Sequence, residues 1–294
     1  MYDVIIIGMG MGGITAGIYA KRAGLNVLMF EKSAPGGILQ KIAMIKNYPG
    51  YEEISGIELA LHLLKQVQSL KIPFKNEEVI GLEVANDIKK VLTKNDIYET
   101  KNVIIATGRK PKYLGLDKEQ KLLGRGISTC ATCDGFLYKG ADVAVVGSGN
   151  SALSESLYLS NLANKVYLLH RGQEFKGEEE LVNKVKNTSN IEIIYGVNIS
   201  SLNEENGKIQ NVTLDNGRIL DVSGVFIYIG YKPDTEIFNE LNITNINGDI
   251  IVDEVCKTEI DGVYAVGDCI KKGVYQLVTA AAEGAIAVSD IDKK

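Results

Sequence analysis

The chain contains 294 residues, of which 45% are hydrophobic and 23% are charged, a composition typical of globular proteins and a length that suits about two domains. Its formal net charge of -5 argues against a nucleic-acid partner, because nucleic-acid phosphates favour a basic protein face. A strand-like run starts almost at the first residue, and no apolar run approaches the roughly 18 residues that a membrane span needs. We therefore expect a cytoplasmic protein with no signal peptide and no membrane partner.

The first predicted element is a dinucleotide-binding βαβ unit. A β-branched run over residues 4–7 leads into a glycine-rich turn, and an amphipathic helix follows. In this turn Gly8 allows the tight bend, Gly10 lets the backbone approach a pyrophosphate, and Gly13 lets the helix pack closely on the strand. A second strand ends at Glu31, whose carboxylate can accept a hydrogen bond from a ribose hydroxyl. The complete unit predicts a bound nucleotide cofactor.

The same pattern returns in the middle of the chain. A strand, a turn and a helix again follow one another, and the turn contains Gly147, Gly149 and Ala152. His170 lies 23 residues after Gly147, the same distance that separates the first turn from its acid. His170 and Arg171 therefore stand where the first unit has a carboxylate, and basic groups there suit a phosphate on the ribose. Two such units predict two nucleotides, a flavin and a pyridine nucleotide.

The pair Cys130 and Cys133 has the spacing of a redox-active dithiol. Two cysteines so placed can close a small disulfide, and the turn and helix dipole can lower the pKa of one thiol. The adjacent carboxylate of Asp134 can carry protons during exchange. A structural zinc site would need a second cysteine or histidine pair nearby in sequence, so we predict no metal. The remaining cysteines, Cys256 and Cys269, are expected to be packing residues.

Later segments predict how the two units share the chain. A buried strand ends at Thr107 and Gly108, and another, starting near residue 258, ends at Asp268. A polar segment with Gln276 then leads into an alanine-rich helix whose N-terminus could face an electron-rich flavin ring. These segments support the flavin assignment of the first unit.

Together the elements predict an α/β fold with two Rossmann-like dinucleotide-binding domains, the second inserted in the first. The flavin domain is predicted over residues 1–109 and 230–294. The inserted domain, which resembles an NAD(P)H-binding domain and carries the cysteine pair, is predicted over residues 110–229. The segments 109–111 and 231–233 are the predicted crossing linkers.

These motifs make the chain resemble the low-molecular-weight thioredoxin reductases over essentially its whole length. The residues that carry the resemblance are Gly8, Gly10, Gly13, Glu31, Gly36, Gly37, Asn47 with residues 48–50, Ala106, Thr107, Gly108, residues 130–136, the second glycine turn, Gly267, Asp268, Gln276 and residues 279–281. The resemblance implies FAD as cofactor and a homodimer. It also implies a rotation of the inserted domain that presents the cysteine pair alternately to the flavin and to thioredoxin.

The resemblance also assigns roles to individual residues. Cys133 would face the flavin, Cys130 would attack the disulfide of thioredoxin, and Asp134 would donate and accept the proton. The cofactor-binding residues implied for FAD are Gly8, Gly10, Gly13, Glu31, Gly37, Asn47, Thr107, Gly108, Asp268 and Gln276. The pyridine-nucleotide site would contain Gly147, Gly149, Ala152, His170, Arg171 and Lys176.

The chain departs from the family pattern in this second site. The family motif for the ribose phosphate has three arginines, but Gly172 replaces one of them and Lys176 another, while Glu174 adds a negative charge. A bidentate arginine clamp is thereby reduced to one arginine and a flexible point charge. Tyr275 also stands where the family has an arginine near the flavin. A clostridial branch of the family is similar, having lost pyridine-nucleotide use and taking electrons from ferredoxin.

We therefore predict a FAD-dependent thioredoxin-disulfide reductase, with reduced ferredoxin slightly favoured over NADPH as the electron donor. An ordinary enzyme with weakened but working NADPH or NADH binding stays open, as does a non-enzymatic flavin redox sensor. A peroxiredoxin-reducing flavoenzyme would carry an extra N-terminal relay domain, and a ferredoxin–NADP reductase of this fold would lack the cysteine pair. The sequence fits both of these less well.

Overall fold

The computed structural model describes residues 1–42, 44–85 and 87–293. The chain divides into two compact units, Met1–Lys110 with Lys232–Lys294, and Pro111–Tyr231. The segments that join the units, Arg109–Pro111 and Tyr231–Pro233, pair with each other as a two-stranded sheet. Among the described residues, no helix combines the length and the apolar character that crossing a bilayer requires.

The strands and helices carry numbers in chain order. The strands are β1 (Tyr2–Ile7), β2 (Val27–Phe30), β3 (Phe74–Lys75), β4 (Val79–Ala85), β5 (Ile88–Thr93), β6 (Ile97–Ile105), β7 (Arg109–Pro111), β8 (Ile127–Ser128), β9 (Asp142–Gly147), β10 (Lys165–His170), β11 (Ile191–Tyr195), β12 (Ile199–Glu205), β13 (Lys208–Leu214), β14 (Ile219–Asp221), β15 (Gly224–Tyr228), β16 (Tyr231–Pro233) and β17 (Val263–Ala265). The helices are α1 (Met11–Arg22), α2 (Gly56–Ser69), α3 (Glu119–Leu122), α4 (Ala131–Asp134), α5 (Asn150–Ser160), α6 (Glu179–Lys186) and α7 (Leu277–Ile291).

The first unit is built on one mixed sheet in the order β3-β2-β1-β6-β5-β4, with β17 also pairing with β6. Strands β2, β1, β6 and β17 run parallel, so their carboxyl ends meet at one edge of the sheet. Strand β1 is buried on both faces, which explains its run of β-branched residues. Alternate side chains of β1 enter two separate hydrophobic clusters, Val4 and Ile6 with Ile14 of α1 and Val288 of α7 on one face, and Ile5 and Ile7 on the other.

The second unit repeats this arrangement on a smaller scale. Its parallel sheet has the order β11-β10-β9-β15-β8. Val143 and Val145 of β9 pack with Leu153 of α5, whereas Ala144 and Val146 pack in the cluster formed with strands β12 and β13. The antiparallel sheet β12-β13-β14 therefore covers the face of the parallel sheet that lies opposite α5.

One expected element is shorter than the sequence suggests. The sequence predicts a single strand from residue 258 to 268, but only Val263–Ala265 forms β17. The Thr258 backbone N–H and hydroxyl both bond to the Val263 carbonyl, and the Val263 N–H bonds back to Ile260. Gly262 adopts a left-handed backbone with φ of 71°, which closes this tight turn before the strand begins.

The glycine turn of the first unit yields a stability prediction. A Cβ atom at residue 13 would lie 2.0 Å from the carbonyl oxygen of Gly8, whereas a Cβ atom at residue 10 would meet nothing within 4 Å. Gly13→Ala is expected to lower the free energy of unfolding by about 1–3 kcal/mol, because the helix must move off the strand. Gly10→Ala is the matched control and, with all proteins compared free of FAD, should unfold like the wild type in urea. Equal unfolding midpoints for both variants would show that the close packing is not needed.

Candidate active site

The glycine turn of the first unit forms an open backbone cradle. Gly8 adopts a φ of 105° and its N–H bonds to the Phe30 carbonyl at 2.8 Å, which sets the bend between β1 and α1. Gly10 precedes α1 without any side chain capping the helix N-terminus. A Cβ atom at Gly37 would lie 3.2 Å from the Cα of Gly10, so two glycine-rich loops meet here. Free helix N–H groups and open space beside Gly10 fit the pyrophosphate of a dinucleotide.

Glu31 lies beside this cradle and is largely buried, with 8% of its surface exposed. One of its carboxylate oxygens accepts the Met9 N–H at 2.9 Å, and the other accepts the Ser33 N–H at 2.9 Å. The carboxylate therefore fixes the shape of the turn. The oxygen bound to Ser33 also accepts the Ser33 hydroxyl at 3.2 Å, whereas the oxygen bound to Met9 keeps a second lone pair that can accept a ribose hydroxyl, so the structural contacts and the predicted role are compatible.

The other residues predicted to bind FAD lie in the same unit. Thr107 and Gly108 directly follow β6, and the Thr107 hydroxyl oxygen is buried with no oxygen or nitrogen atom as hydrogen-bond partner. Asp268 lies in a short 3₁₀ turn after β17. The Asn47 side-chain amide donates to the Gln276 side-chain oxygen at 3.1 Å, at the N-terminus of α7. The unsatisfied hydroxyl and the open cradle together fit a FAD molecule in this unit.

Arg109 is a neighbour of these residues that was not predicted from the sequence. Its Nε–H donates to the Asp268 carbonyl at 3.0 Å, and its guanidinium pairs with the Asp249 carboxylate. The Tyr275 ring lies 4.3 Å from the guanidinium carbon, and the Tyr275 hydroxyl accepts a bond from it at 3.1 Å. Tyr275, at the position of a family arginine, thus contacts an arginine from another part of the chain.

The cysteine pair lies at the N-terminus of the short helix α4 in the second unit. Cys130 and Cys133 form a disulfide, with their Cα atoms 5.3 Å apart. Cys130 caps the helix, because its Sγ accepts the Cys133 N–H at 3.2 Å. Cys130 is buried and Cys133 is exposed. The two cysteines therefore differ in their exposure to solvent.

Asp134 belongs to the same turn as the two cysteines. The Ser128 hydroxyl donates to the Asp134 carboxylate at 2.7 Å and accepts the Cys130 N–H at 3.0 Å. Ser128 is buried at the end of β8, so it anchors the carboxylate to the sheet. The structure thus brings together the three residues predicted to be catalytic, Cys130, Cys133 and Asp134.

Two further residues contact α4 from more distant parts of the sequence. The Tyr228 hydroxyl accepts the Ala131 N–H at 2.7 Å and lies 3.4 Å from a carboxylate oxygen of Glu155. Burial raises the pKa of Glu155, while hydrogen bonds from Tyr228 and from the Thr132 and Ala131 amides oppose that effect. Neither residue was predicted from the sequence. Tyr228 lies 97 residues from Ala131 and 73 residues from Glu155 in the sequence, so no local sequence pattern could predict these contacts.

The second glycine turn borders a cavity of about 590 Å³. No side chain caps the N-terminus of α5, and a Cβ atom at Gly149 would meet nothing within 4 Å. A Cβ atom at Gly147 would lie 2.8 Å from the Cβ of Ala152, so these residues keep the turn close to the helix. The predicted residues that line the cavity are Gly147, Gly149, His170, Arg171 and Lys176. The turn retains the geometry of a dinucleotide site.

His170 does not play the part that Glu31 plays in the first unit. Its Nε2 donates to the Glu174 carbonyl at 2.6 Å, so its Nδ1 accepts the Gly172 N–H at 3.3 Å. The ring also stacks on Phe175, with 5.4 Å between the ring centroids. A Cβ atom at residue 172 would lie 3.1 Å from the His170 ring, so a side chain there would require the ring to move by a few tenths of an ångström. His170 therefore stabilises the loop that follows β10, through its bonds to Glu174 and Gly172.

Of the remaining cysteines, Cys269 directly follows Asp268 in the 3₁₀ turn beside the candidate FAD site. Cys256 and Cys269 are free and buried, each in a hydrophobic cluster of the first unit. Burial raises the pKa of the Cys256 thiol to about 12 and that of the Cys269 thiol to about 11, so both stay protonated at neutral pH. Within residues 1–42, 44–85 and 87–293, no group of three or more acidic, histidine or cysteine side chains could hold a metal ion.

Known proteins with similar sequences and structures match nearly the whole chain. The Bacillus subtilis (strain 168) protein named thioredoxin reductase is 36% identical over 296 residues, which cover 99% of this chain and 94% of that protein. The Lactococcus lactis thioredoxin reductase structure has a TM-score of 0.91 and 35% identity, covering 100% of this chain and 98% of that chain. A ferredoxin-flavin thioredoxin reductase from Clostridium acetobutylicum has a TM-score of 0.55 and 32% identity, covering 99% and 97%.

These similarities confirm the resemblance found in the motifs and the α/β fold with two Rossmann-like domains. They also confirm an oxidoreductase that acts on a disulfide and support FAD as the cofactor, while the use of NADPH stays undecided. The family model for pyridine nucleotide-disulphide oxidoreductases matches residues 2–285. The chain belongs to the pyridine nucleotide-disulphide oxidoreductase family.

Proposed function

We propose that the chain is a FAD-dependent thioredoxin-disulfide reductase, in which electrons pass from the flavin through Cys130 and Cys133 to thioredoxin. The observation that carries the proposal is the disulfide at the N-terminus of α4, in one turn with the Asp134 carboxylate. The relatives named thioredoxin reductase support the substrate. Bound FAD would supply the two-electron carrier, held by the turn around Gly10 and by Glu31.

The chemistry at the cysteine pair can be written as two thiol–disulfide exchanges. The Cys130 thiolate attacks one sulfur of the thioredoxin disulfide, which breaks that bond and forms a mixed disulfide. The Cys133 thiolate then attacks the Cys130 sulfur, which restores the intramolecular disulfide and releases reduced thioredoxin. Asp134 would deliver one proton to the first departing thioredoxin sulfur, take up the proton that the Cys133 thiol loses as it becomes a thiolate, and pass that proton to the second sulfur. The rotation of the inserted domain that the family resemblance implies would present the cysteine pair to thioredoxin.

The domain roles and the assembly belong to the same proposal. The unit Met1–Lys110 with Lys232–Lys294 would bind FAD, and the unit Pro111–Tyr231 would carry the cysteine pair and the second nucleotide-type cavity. A homodimer is proposed from the family resemblance alone. Paired linker strands β7 and β16 are a suitable pivot for rotation, because a short two-stranded ribbon resists bending less than a packed core.

For the electron donor we favour reduced ferredoxin over NADPH. The support is the loop that follows β10, where the predicted phosphate clamp has only Arg171 and Lys176, both exposed. Gly172 contributes no side chain to the clamp, and its N–H donates to the His170 ring at 3.3 Å. The exposed Glu174 adds a negative charge that disfavours a phosphate. The ferredoxin-flavin enzyme from Clostridium acetobutylicum shows that this fold exists with a ferredoxin partner.

NADPH is the second candidate donor, and the cavity of the second unit supports it. The cavity has about 590 Å³ and borders an uncapped helix N-terminus, both of which suit a dinucleotide. Arg171 and Lys176 both line it, so two cations could still meet a ribose phosphate. The glycine turn would have the same geometry if it no longer bound a nucleotide and served only helix packing, since Gly147 and Ala152 are in close contact.

Substitution of single cysteines tests the proposed reaction. With Cys133→Ser, we expect Cys130 to trap oxidised thioredoxin as a mixed disulfide that survives non-reducing electrophoresis, because no second thiol can resolve it. With Cys130→Ser, no trapped complex should form, and neither variant should turn over. Cys256→Ala, which removes a buried thiol, is the matched control and should keep wild-type turnover. Trapping by Cys130→Ser instead would reverse the assigned roles. Wild-type protein that binds FAD but never reduces thioredoxin would favour a redox sensor.

Anaerobic stopped-flow reduction of the flavin identifies the donor. We expect reduced ferredoxin to bleach the flavin rapidly and both NADPH and NADH to do so slowly. Each charge-assisted phosphate contact contributes about 1.5–3 kcal/mol, so the altered clamp should cost roughly tenfold to several-hundredfold in NADPH affinity. Fast, saturable reduction by micromolar NADPH would overturn the ferredoxin proposal.

Restoring the arginines provides the control for this test. The double variant Gly172→Arg with Lys176→Arg should gain NADPH affinity if the clamp alone is at fault. Gly172→Ala separates the effect of added charge from the crowding of a Cβ atom against the His170 ring. If the double variant gains nothing while Gly172→Ala behaves like the wild type, the block lies elsewhere and Tyr275 is the next residue to exchange.

A further inference from the structure

The first N–H groups of α4 are shared between two different acceptors. The N-terminal amides of a helix have no acceptor within the helix itself. In α4 the Cys133 N–H bonds to the Sγ of Cys130 at 3.2 Å, while the Ala131 N–H bonds to the Tyr228 hydroxyl at 2.7 Å. The Glu155 carboxylate, on α5, lies 3.4 Å from that Tyr228 hydroxyl. A carboxylate therefore lies at the end of the helix where a thiolate would otherwise gain all of the amide dipoles.

The direction of the bond between Tyr228 and Glu155 follows from the other contact of the hydroxyl. Because the hydroxyl accepts the Ala131 N–H, its own proton is available to the Glu155 carboxylate at 3.4 Å. Burial raises the pKa of Tyr228 far above its usual range, so the phenol stays protonated. Burial also raises the pKa of Glu155, while the hydrogen bond from Tyr228 opposes that effect.

The other titratable groups around this site differ in their position. Tyr231 is also buried and interacts electrostatically with Glu155, and its pKa is raised first by that burial and then by the carboxylate. Asp134 interacts instead with Tyr138, whose pKa is raised by burial and by that charge. Two carboxylates are thus linked to α4, Asp134 through Ser128 and Glu155 through Tyr228.

We propose that Glu155 and Tyr228 are positioning residues for the thiol chemistry, which together orient the amides of α4 and set the pH range in which Cys130 becomes nucleophilic. The inference deepens the proposed function, because it rests on the redox role of the cysteine pair. A carboxylate beside the helix N-terminus disfavours a second negative charge, so it raises the pKa of the Cys130 thiol. Tyr228 keeps Glu155 ionised by donating a hydrogen bond to it.

The proton balance of the reaction indicates what Glu155 would do during reduction of the disulfide. Two electrons break the sulfur–sulfur bond, and the two sulfurs then take up two protons, or one proton if Cys130 stays a thiolate. As the thiolate forms, its charge raises the pKa of Glu155, and the carboxyl group can hold the remaining proton. Glu155 would lose that proton again when the disulfide re-forms. Asp134 stays free to serve the partner sulfurs.

The test measures thiol reactivity directly and needs no electron donor. The FAD-containing protein is reduced with dithiothreitol, freed of reductant under anaerobic conditions, and alkylated with iodoacetamide across a pH series. Peptide mass spectrometry follows Cys130 and Cys133 separately. Glu155→Gln keeps the size and the hydrogen-bond acceptor but removes the charge, so the Cys130 profile is expected to shift to lower pH by about one unit. Glu179→Gln, at the exposed start of α6, is the matched control and should leave the profile unchanged.

A double-mutant cycle separates positioning from general damage to the fold. Tyr228→Phe should also shift the Cys130 profile to lower pH, because Glu155 then holds its proton to a higher pH. The double variant Tyr228→Phe with Glu155→Gln should shift it no further than Glu155→Gln alone. Additive shifts, or Glu155→Gln profiles that superimpose on the wild type, would overturn the proposal. Tyr19→Phe, an exposed tyrosine of the other unit, controls for loss of a hydroxyl.

Stability and function have their own readouts in this experiment. Thermal unfolding of each variant shows whether a change in reactivity comes from partial unfolding; a shift seen only in a variant whose melting temperature has collapsed counts against the proposal. Thioredoxin turnover by the wild type is measured in parallel. Absent turnover together with the expected Cys130 shift would contradict the thioredoxin assignment and leave the Glu155 inference standing.

Discussion

The N–H groups at helix N-termini are the feature on which each candidate site in this protein depends. Such groups lack partners within the helix and favour negative charge. At α1 and α5 no side chain caps them, so both turns stay open to a phosphate. At α4 the N–H groups are bound within the chain, by the sulfur of Cys130 and by the Tyr228 hydroxyl, which in turn lies 3.4 Å from the Glu155 carboxylate. One element of backbone chemistry thereby serves both nucleotide binding and thiol reactivity.

The two βαβ units share this backbone but differ in the side chain at the end of the second strand. In the first unit Glu31 reaches back to the Met9 N–H and holds the turn ready for a ribose. In the second unit His170 bonds forward to its own loop at Glu174 and Gly172. The turn around Gly149 is thus independent of the residue that would choose the nucleotide. This independence explains how a family member could keep the turn while changing its electron donor.

The sequence predicted the features that depend on local spacing. Both glycine turns, the disulfide between Cys130 and Cys133, and the acid after β2 follow from patterns within about 25 residues. The contacts of Tyr228 with Glu155, and of Arg109 with Tyr275, join residues far apart in the chain, and no local pattern encodes them. The turn around Gly262 was missed because its apolar neighbours also suit a strand. Prediction therefore succeeded for backbone geometry and failed for side-chain networks that tertiary packing creates.

The flavin and the Cys130–Cys133 disulfide are proposed to form one redox chain in this polypeptide. Anaerobic titration of the FAD-containing protein with dithionite tests this most directly, because absorbance follows the flavin while a thiol assay follows the cysteines. We predict that complete reduction takes two electron pairs per chain, one for the disulfide and one for the flavin. We also predict that added oxidised thioredoxin reoxidises both the flavin and the cysteine pair. Complete flavin bleaching after a single pair, with the disulfide intact, would contradict the proposed redox chain.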